Sequence, residues 1–418
     1  MTTKDLNKRD ALTVHKAMVK KTKWGMHMLL ILTGFTVLNL SCSKVEYTQI
    51  EQPAYLRVFN NLNYKVSMDV KDGKVPYFCM LINPEVNGAG KPVGAEIIGD
   101  FLDIRNAYAP PYPSHVGANN SVNNPEYPGK ENVLVGPIVN GYDLSSWAQV
   151  PSGSTRVMFV YRPKNTISYF DLEPVLQGDV LLDTTINLQP SEVYTMHLLQ
   201  KDFKKRENGI LLRQENFHKQ AFSDSLMYMN FYNYSAMGFQ DADASLKPDY
   251  APFKQGIRDK MNVFLTLYPN ETSALNGDSF QHTAIPGYKG KFLTTLEQDI
   301  TSNAPKPYVS FPLWANPTDD GIRTKSWQYI DFFAPGLSPS NNPYSFTRNQ
   351  EWESVVFLSN GSSIPQYAYA SLALPNMLIN IHSGIYNPRS FATINTIEIV
   401  NGYAYLTTIQ RKYEAPRY

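Results

Sequence analysis

Cysteine is nearly absent from the 418 residues: only Cys42 and Cys79 occur. Two thiols cannot build the disulfide framework of a small secreted domain, and one beyond the leader cannot build a thiolate metal site. Histidine is sparse too. His115, His197, His218, His282 and His382 are the histidines beyond residue 42, and no two share the spacing of a zinc-binding helix. Only 18% of residues are charged, with 38 Lys and Arg against 37 Asp and Glu. Seven of the basic and two of the acidic residues fall within positions 1–42, leaving 31 basic against 35 acidic. A mildly acidic chain without basic runs is a poor phosphate-binding surface, which argues against nucleic acid as a partner. Sustained helical periodicity is missing as well, apart from one short helix expected over 292–301, and this excludes a parallel α/β architecture.

Catalytic signatures fail one by one. Gly336-Leu337-Ser338-Pro339-Ser340 lacks the last glycine of a nucleophile elbow. In the stretch Gly88 to Gly94, Pro92 interrupts what would be a dinucleotide or phosphate loop, so a glycine-rich turn is the simpler reading. Asp241-Ala242-Asp243 opens like a calcium loop, but Leu246 stands where glycine is required and Pro252 where the closing Glu should be. No metal, no cofactor and no enzymatic activity are expected. A pair of carboxylates meeting only in space, as in a hydrolase, is the last of the readings kept.

What is present starts with an address. Lys20, Lys21 and Lys23 precede an apolar run, Met28 to Leu40. Its thirteen residues would span about 20 Å as a helix, short of the roughly 30 Å hydrocarbon core. A basic region, a short apolar region and the small Ser41 make residues 1–41 a cleaved signal peptide, with Met18 and Met26 as alternative starts. Leu38-Asn39-Leu40-Ser41-Cys42 then resembles the lipobox of bacterial lipoproteins, with Asn39 in place of the usual leucine. The resemblance implies a lipid on Cys42, a tether over 42–50 and, with Ser43 rather than Asp next, an extracytoplasmic place at the outer membrane. Two or three acyl chains at about 0.8 kcal/mol per buried CH₂ would hold the protein there. Cys79, inside an apolar strand-like run, reads as a buried small hydrophobe.

Beyond the tether, short alternating or continuous apolar segments bounded by Gly, Pro, Asn and Asp predict an all-β chain of sandwiches. Clear examples are Tyr55–Phe59, Val180–Leu188, Met261–Tyr268, Trp327–Phe333 and Tyr403–Ile409. Three landmarks recur in order. Tyr55–Asn60 matches Tyr228–Asn233, Val150-Pro151 matches Leu374-Pro375, and Thr185–Leu188 with Tyr194 matches Thr396–Ile399 with Tyr405. This predicts two related domains, 51–222 and 223–418, the second with an insertion at about 270–350. An N-terminal strand with Arg57 and Asn60, the Pro151-Ser152-Gly153 strand start and Tyr194-Thr195 are similar to a family of uncharacterised tandem immunoglobulin-like domains in secreted and lipid-anchored bacterial proteins. That resemblance implies an immunoglobulin-like surface module and no known chemistry.

The long stretch 105–147 carries Tyr108, Tyr112, Tyr127, Tyr142 and Trp147 among Pro and Asn turns. Flat apolar rings with a polar handle, beside Asn amides, suit a sugar or another protein's surface. These five are the candidate ligand-binding residues, set against packing over one end of a sandwich. The leading expectation is a non-catalytic envelope protein that binds or displays something, with a surface glycan or an envelope protein as partner. The alternative is a structural adhesion or fimbria-like subunit, or an accessory of an outer-membrane transporter, in which strand edges matter more than loops.

Overall fold

A computed structural model describes residues 50–62, 77–105, 134–144, 146–223, 225–248, 251–254, 256–269, 284–312, 326–339, 352–358, 372–375, 381–382, 388–389 and 393–410. The described residues belong to one compact unit. The first copy holds β1 (Ala54–Asn60), β2 (Phe78–Val86), β3 (Pro92–Leu102), β4 (Ile138–Val139), β5 (Tyr142–Asp143), β6 (Ala148–Val150), β7 (Gly153–Tyr161), β8 (Val180–Leu188), β9 (Val193–Asp202) and β10 (Glu207–Gln214). The second holds β11 (Leu226–Asn233), β12 (Lys260–Pro269), β13 (Lys291–Glu297), β14 (Val309–Pro312), β15 (Ser326–Phe333), β16 (Trp352–Leu358), β17 (Leu372–Pro375), β18 (Ile381–His382), β19 (Pro388–Arg389), β20 (Thr393–Val400) and β21 (Tyr403–Gln410). The protein is all-β. The helix expected over 292–301 is instead the strand β13, paired with β12, because its Thr-rich alternation fits a pleat better than a turn of helix.

Four sheets make two sandwiches. Sheet I runs β10-β9-β1-β6 and sheet II β3-β2-β7-β8; sheet III runs β14-β11-β20-β21 and sheet IV β13-β12-β15-β16-β17. Leu56, Val58, Met196 and Leu198 of sheet I meet Phe78, Met80, Val157 and Phe159 of sheet II in one core. Met229, Phe231, Ile397 and Ile399 of sheet III meet Val263, Leu265, Ile330 and Phe332 of sheet IV in the other. In both copies the first strand pairs parallel with a late one, β1 with β9 and β11 with β20. The outer face of sheet II is covered by the connection after β7: Tyr169 and Leu172 pack on Cys79, Leu81, Met158 and Val160. Buried Asp100 ties that cover down by pairing with Arg162 and accepting from the Tyr169 amide at 2.7 Å. Cys79 is a free, buried thiol whose pKa burial pushes up.

The register of the first strand in each copy identifies equivalent positions. Arg57 pairs with Thr195 as Asn230 pairs with Thr396, and Ala54 pairs with Val150 as Met227 pairs with Phe311. Pro151 therefore matches Pro312 rather than Pro375, and β20 is the counterpart of β9 rather than of the Thr185–Leu188 strand. Strands β13, β14 and β15 within 270–350 are counterparts of β3, β6 and β7, so the insertion does not lie there. It follows β16: 34 residues separate β16 from β20, where only four separate β8 from β9.

Two tight turns show the local code. Asn401-Gly402 joins β20 to β21 with both residues at positive φ, 48° and 82°, the type I′ geometry that matches strand twist. A side chain at 402 would also press on the Lys254 backbone, its Cβ 2.9 Å from Cα. Asn140-Gly141 repeats the device between β4 and β5, at φ 50° and 86°.

Candidate functional site

Of the five ring residues singled out in 105–147, Tyr108, Tyr112 and Tyr127 lie outside the described residues. Tyr142 and Trp147 are described, and both are buried. They pack with Leu144, Val193 and Phe217 of the first copy against Ile394 and Ile409 of the second. Phe217 stands edge-on to Tyr142 at 5.3 Å and 5.8 Å from Trp147. Neither ring leaves a face open to a sugar. The reason lies in the fold: the outer face of sheet I is covered by the outer face of sheet III, and these residues fill one end of that seam. Leu199 and Leu211 meet Tyr232, Tyr234, Val400 and Tyr405 at another part of it.

Between those two apolar clusters lies the densest assembly of ionisable groups in the described chain. Arg57, Thr195, Arg213, Glu398 and Thr407 sit at alternate, outward positions of their strands, and Arg105, Glu215 and Tyr234 lie just beyond strand ends. Arg57 donates to Thr195 Oγ1 at 3.2 Å, and Thr195 donates to Glu215 Oε1 at 2.6 Å. Arg213 holds Glu215 through Nε and Nη2, at 3.1 and 2.8 Å. Its Nη1 reaches across the seam to Tyr234 Oη at 3.0 Å and Glu398 Oε1 at 2.5 Å. Arg105 takes the other oxygen of Glu398 and donates to Thr407 Oγ1 at 2.9 Å. The guanidinium groups also stack on rings: Arg57 lies 4.1 Å from the Trp147 ring, Arg105 3.7 Å from Phe59 and Arg213 4.4 Å from Tyr232.

The electrostatics follow from burial and neighbours. Burial raises the pKa of Glu398, but the guanidinium groups of Arg105 and Arg213 hold the carboxyl well below the usual range. His197 is fully buried, its Nδ1 3.1 Å from Asn61 Oδ1 and its Nε2 3.5 Å from Glu398. Desolvation depresses its pKa well below the ordinary value against the opposing pull of Glu398, and Arg213, Arg105 and Arg57 add to the depression. His197 is therefore neutral in the folded protein. His218 is likewise buried and depressed by desolvation.

A buried neutral histidine makes stability fall on acidification, because only the unfolded chain takes up its proton. The loss should begin near pH 6.5 and amount to ~1.4 kcal/mol per pH unit for each such histidine. Below about pH 4.5 Glu398, with its pKa depressed, adds a second loss of the same sign. His197→Gln should reduce the slope between pH 6.5 and 5 by one proton's worth in urea titrations; an unchanged slope would refute the assignment.

The other sequence candidates resolve simply. The Gly88–Gly94 stretch is a hairpin turn in which Asn87 Oδ1 accepts from the amides of Ala89 and Lys91, both at 3.0 Å. Asp243 caps the short 3-10 turn Ala244–Leu246, accepting from the Ser245 amide at 2.7 Å. Among the described residues no three metal-ligating side chains converge, and no helix is long and apolar enough to cross a membrane.

No protein-family model and no curated protein matches this sequence. Solved structures align along most of it, among them the following three. One, from Bacteroides ovatus, is provisionally described as a cell adhesion protein; it is 10% identical, with 88% of this chain and 100% of that chain covered and a TM-score of 0.16. A second of the same description, from Parabacteroides distasonis, is 7% identical, covers 88% and 99%, and has a TM-score of 0.18. The tip fimbrial protein Mfa3 of Porphyromonas gingivalis, truncated at its C-terminus, is 10% identical, covers 86% and 99%, and scores 0.17. Scores this low carry no assignment of family or role.

Proposed function

We propose that the chain is a non-catalytic binding or display protein of the bacterial cell envelope, anchored at the outer membrane by a lipid on Cys42. The observation that carries the non-catalytic part is the fate of its ionisable cluster. Arg57, Arg105, Arg213, His197, Glu215 and Glu398 make the kind of group a hydrolase would use, yet all are buried, and Arg105, Arg213 and His197 meet Glu398 across a packed seam. Among the described residues no opening leads to them, and their role is to join two sandwiches into one body. A stiff body held at a membrane by its N-terminal end suits presentation of a surface there.

The anchor is tested by growing cells with a clickable palmitate analogue. The wild type should take up label and sediment with the outer membrane, whereas Cys42→Ala should lose label and leave that fraction. Label retained by Cys42→Ala would end this reading of the address. With Tyr142 and Trp147 in the seam, glycan recognition falls to Tyr108, Tyr112 and Tyr127. Their triple change to Ala should abolish binding of the full chain to a glycan array without altering its unfolding transition. If the wild type binds no glycan, the partner is an envelope protein.

A further inference from the structure

The two copies differ at one sheet edge. Sheet II ends at β8, and sheet IV continues past the equivalent strand, β16, with β17. The equivalence is topological: β8 pairs antiparallel with β7 as β16 does with β15, and the connection between the two strands is 18 residues in each copy. The extra strand comes from the insertion after β16. It lies parallel to β16, Val355 opposite Leu372 through Leu358 opposite Pro375. Among the described residues no strand takes the corresponding place beside β8.

An open edge is a hazard that proteins usually guard with lysine, proline, a bulge or a short strand. Edge β8 is nine residues long, Val-Leu-Leu-Asp-Thr-Thr-Ile-Asn-Leu, with neither Lys nor Pro. Its one charge, Asp183, is taken up by Arg156 of β7, at 2.6 and 2.9 Å. The approach to the strand is open, with Val175 83% exposed and Leu176 42% between the exposed Glu173 and Asp179, and Val180 38% just after them. Leu176 and Gly178 also wall a cleft of about 340 Å³ with Tyr77, Tyr161, Pro163, Arg162 and Lys164. The other edge of the same sheet, β3, has two register shifts against β2 and begins with Pro92. Edge β8 has a single register shift against β7, at its start around Leu181, and runs in regular register from Leu182 to Leu188; it is the less guarded of the two.

We infer that the outer edge of β8 is a docking edge for an extended, uncharged, apolar segment of a partner protein, which adds parallel to β8 as β17 adds to β16. The second copy supplies the missing strand from its own insertion; the first has a four-residue link there, and none of its described residues supplies one. Backbone hydrogen bonds would hold the segment, and the apolar residues leading into β8 would select for its side chains.

This rests on the envelope-display reading only for where the partner is met, so the two fail separately: lipid labelling tests the anchor, and amide exchange tests the edge. The probe is a synthetic peptide of residues 369–378, Tyr-Ala-Ser-Leu-Ala-Leu-Pro-Asn-Met-Leu, added to the purified full chain carrying Cys42→Ser. Exchange over Val180–Leu188 should slow about tenfold at saturating peptide, with β3 unchanged and a scrambled peptide without effect. Val180→Lys with Thr185→Lys, both at exposed positions, should abolish the slowing and leave the unfolding transition in place. No slowing up to about 1 mM peptide, the weak end of specific association, would overturn the inference. So would equal slowing by the scrambled peptide. Slowing that grows with chain concentration in the absence of peptide would overturn it in favour of pairing between copies.

Discussion

Replacing Glu398 with alanine should cost about 3–5 kcal/mol of stability, the range seen when one partner of a buried ion pair is removed. Glu398 is fully buried and answers two guanidinium groups, Arg105 and Arg213, both from the first copy. Alanine would leave both cations sealed in the seam with fewer acceptors, and a domain's whole stability is only about 5–15 kcal/mol. Urea unfolding followed by tryptophan fluorescence measures this. A loss below about 1 kcal/mol would place Glu398 among surface ion pairs and contradict its burial. Changing Arg105, Arg213, Glu398 and Glu215, which Arg213 also holds, together to methionine should recover most of the loss, because the penalty lies in unpaired charge rather than in the absence of the pair. The buried ionic groups would then serve to set which faces meet.

Trp147→Ala is expected to be nearly as severe, about 3–5 kcal/mol for a large aromatic truncated in a core. The ring is inaccessible, touches Phe217 and carries the Arg57 guanidinium on its face. Truncation would open a cavity in the seam and remove that cation's ring partner. Trp147→Phe should cost less than half as much, since it keeps an aromatic face for Arg57. The same variants separate two roles for the residue: a surface platform would lose ligand and keep its melting behaviour, whereas a seam residue loses stability. No effect of Trp147→Ala on unfolding would disprove the packing described for sheets I and III.

Strands were legible because their alternation is a local property. Val180–Leu188 and Trp327–Phe333 coincide with β8 and with β15 short of its first residue. The second of these also shows the value of reading both faces: Ile330 and Phe332 enter the sandwich core while Trp327 and Phe333 are buried on the other side. The seam was not legible, and the cause is the same alternation. Arg57, Thr195, Arg213 and Glu398 occupy every second place on strands whose other side is apolar, which is the pattern of a sheet with one face in water. Period two says which residues share a face; it cannot say that another sheet lies against that face. Trp147 was ambiguous for a related reason, since an aromatic in a long connection packs down or points out depending on a surface contributed by residues 394 and 409. Repeat matching found two copies in the right order yet paired Pro151 with Pro375, because a Pro-led apolar segment recurs more often than the strand it is meant to mark.

The parallel pairing of each copy's first strand with a late one has a consequence for the order of assembly. A chain threaded N-terminus first across a membrane delivers β1 long before β9, and β11 some 160 residues ahead of β20. Loop closure over such distances is slow compared with forming a hairpin. Sheet I can close once β9 and β10 have emerged, but its outer face, with Arg57, His197 and Arg213, stays wet until Glu398 arrives on β20. For most of such a passage the emerging chain would show a half-apolar, positively charged sheet to its surroundings, and only the last strands would hide it. In a chain cut short before residue 393 that sheet would stay uncovered, a state that a protease or chaperone could tell from the finished protein.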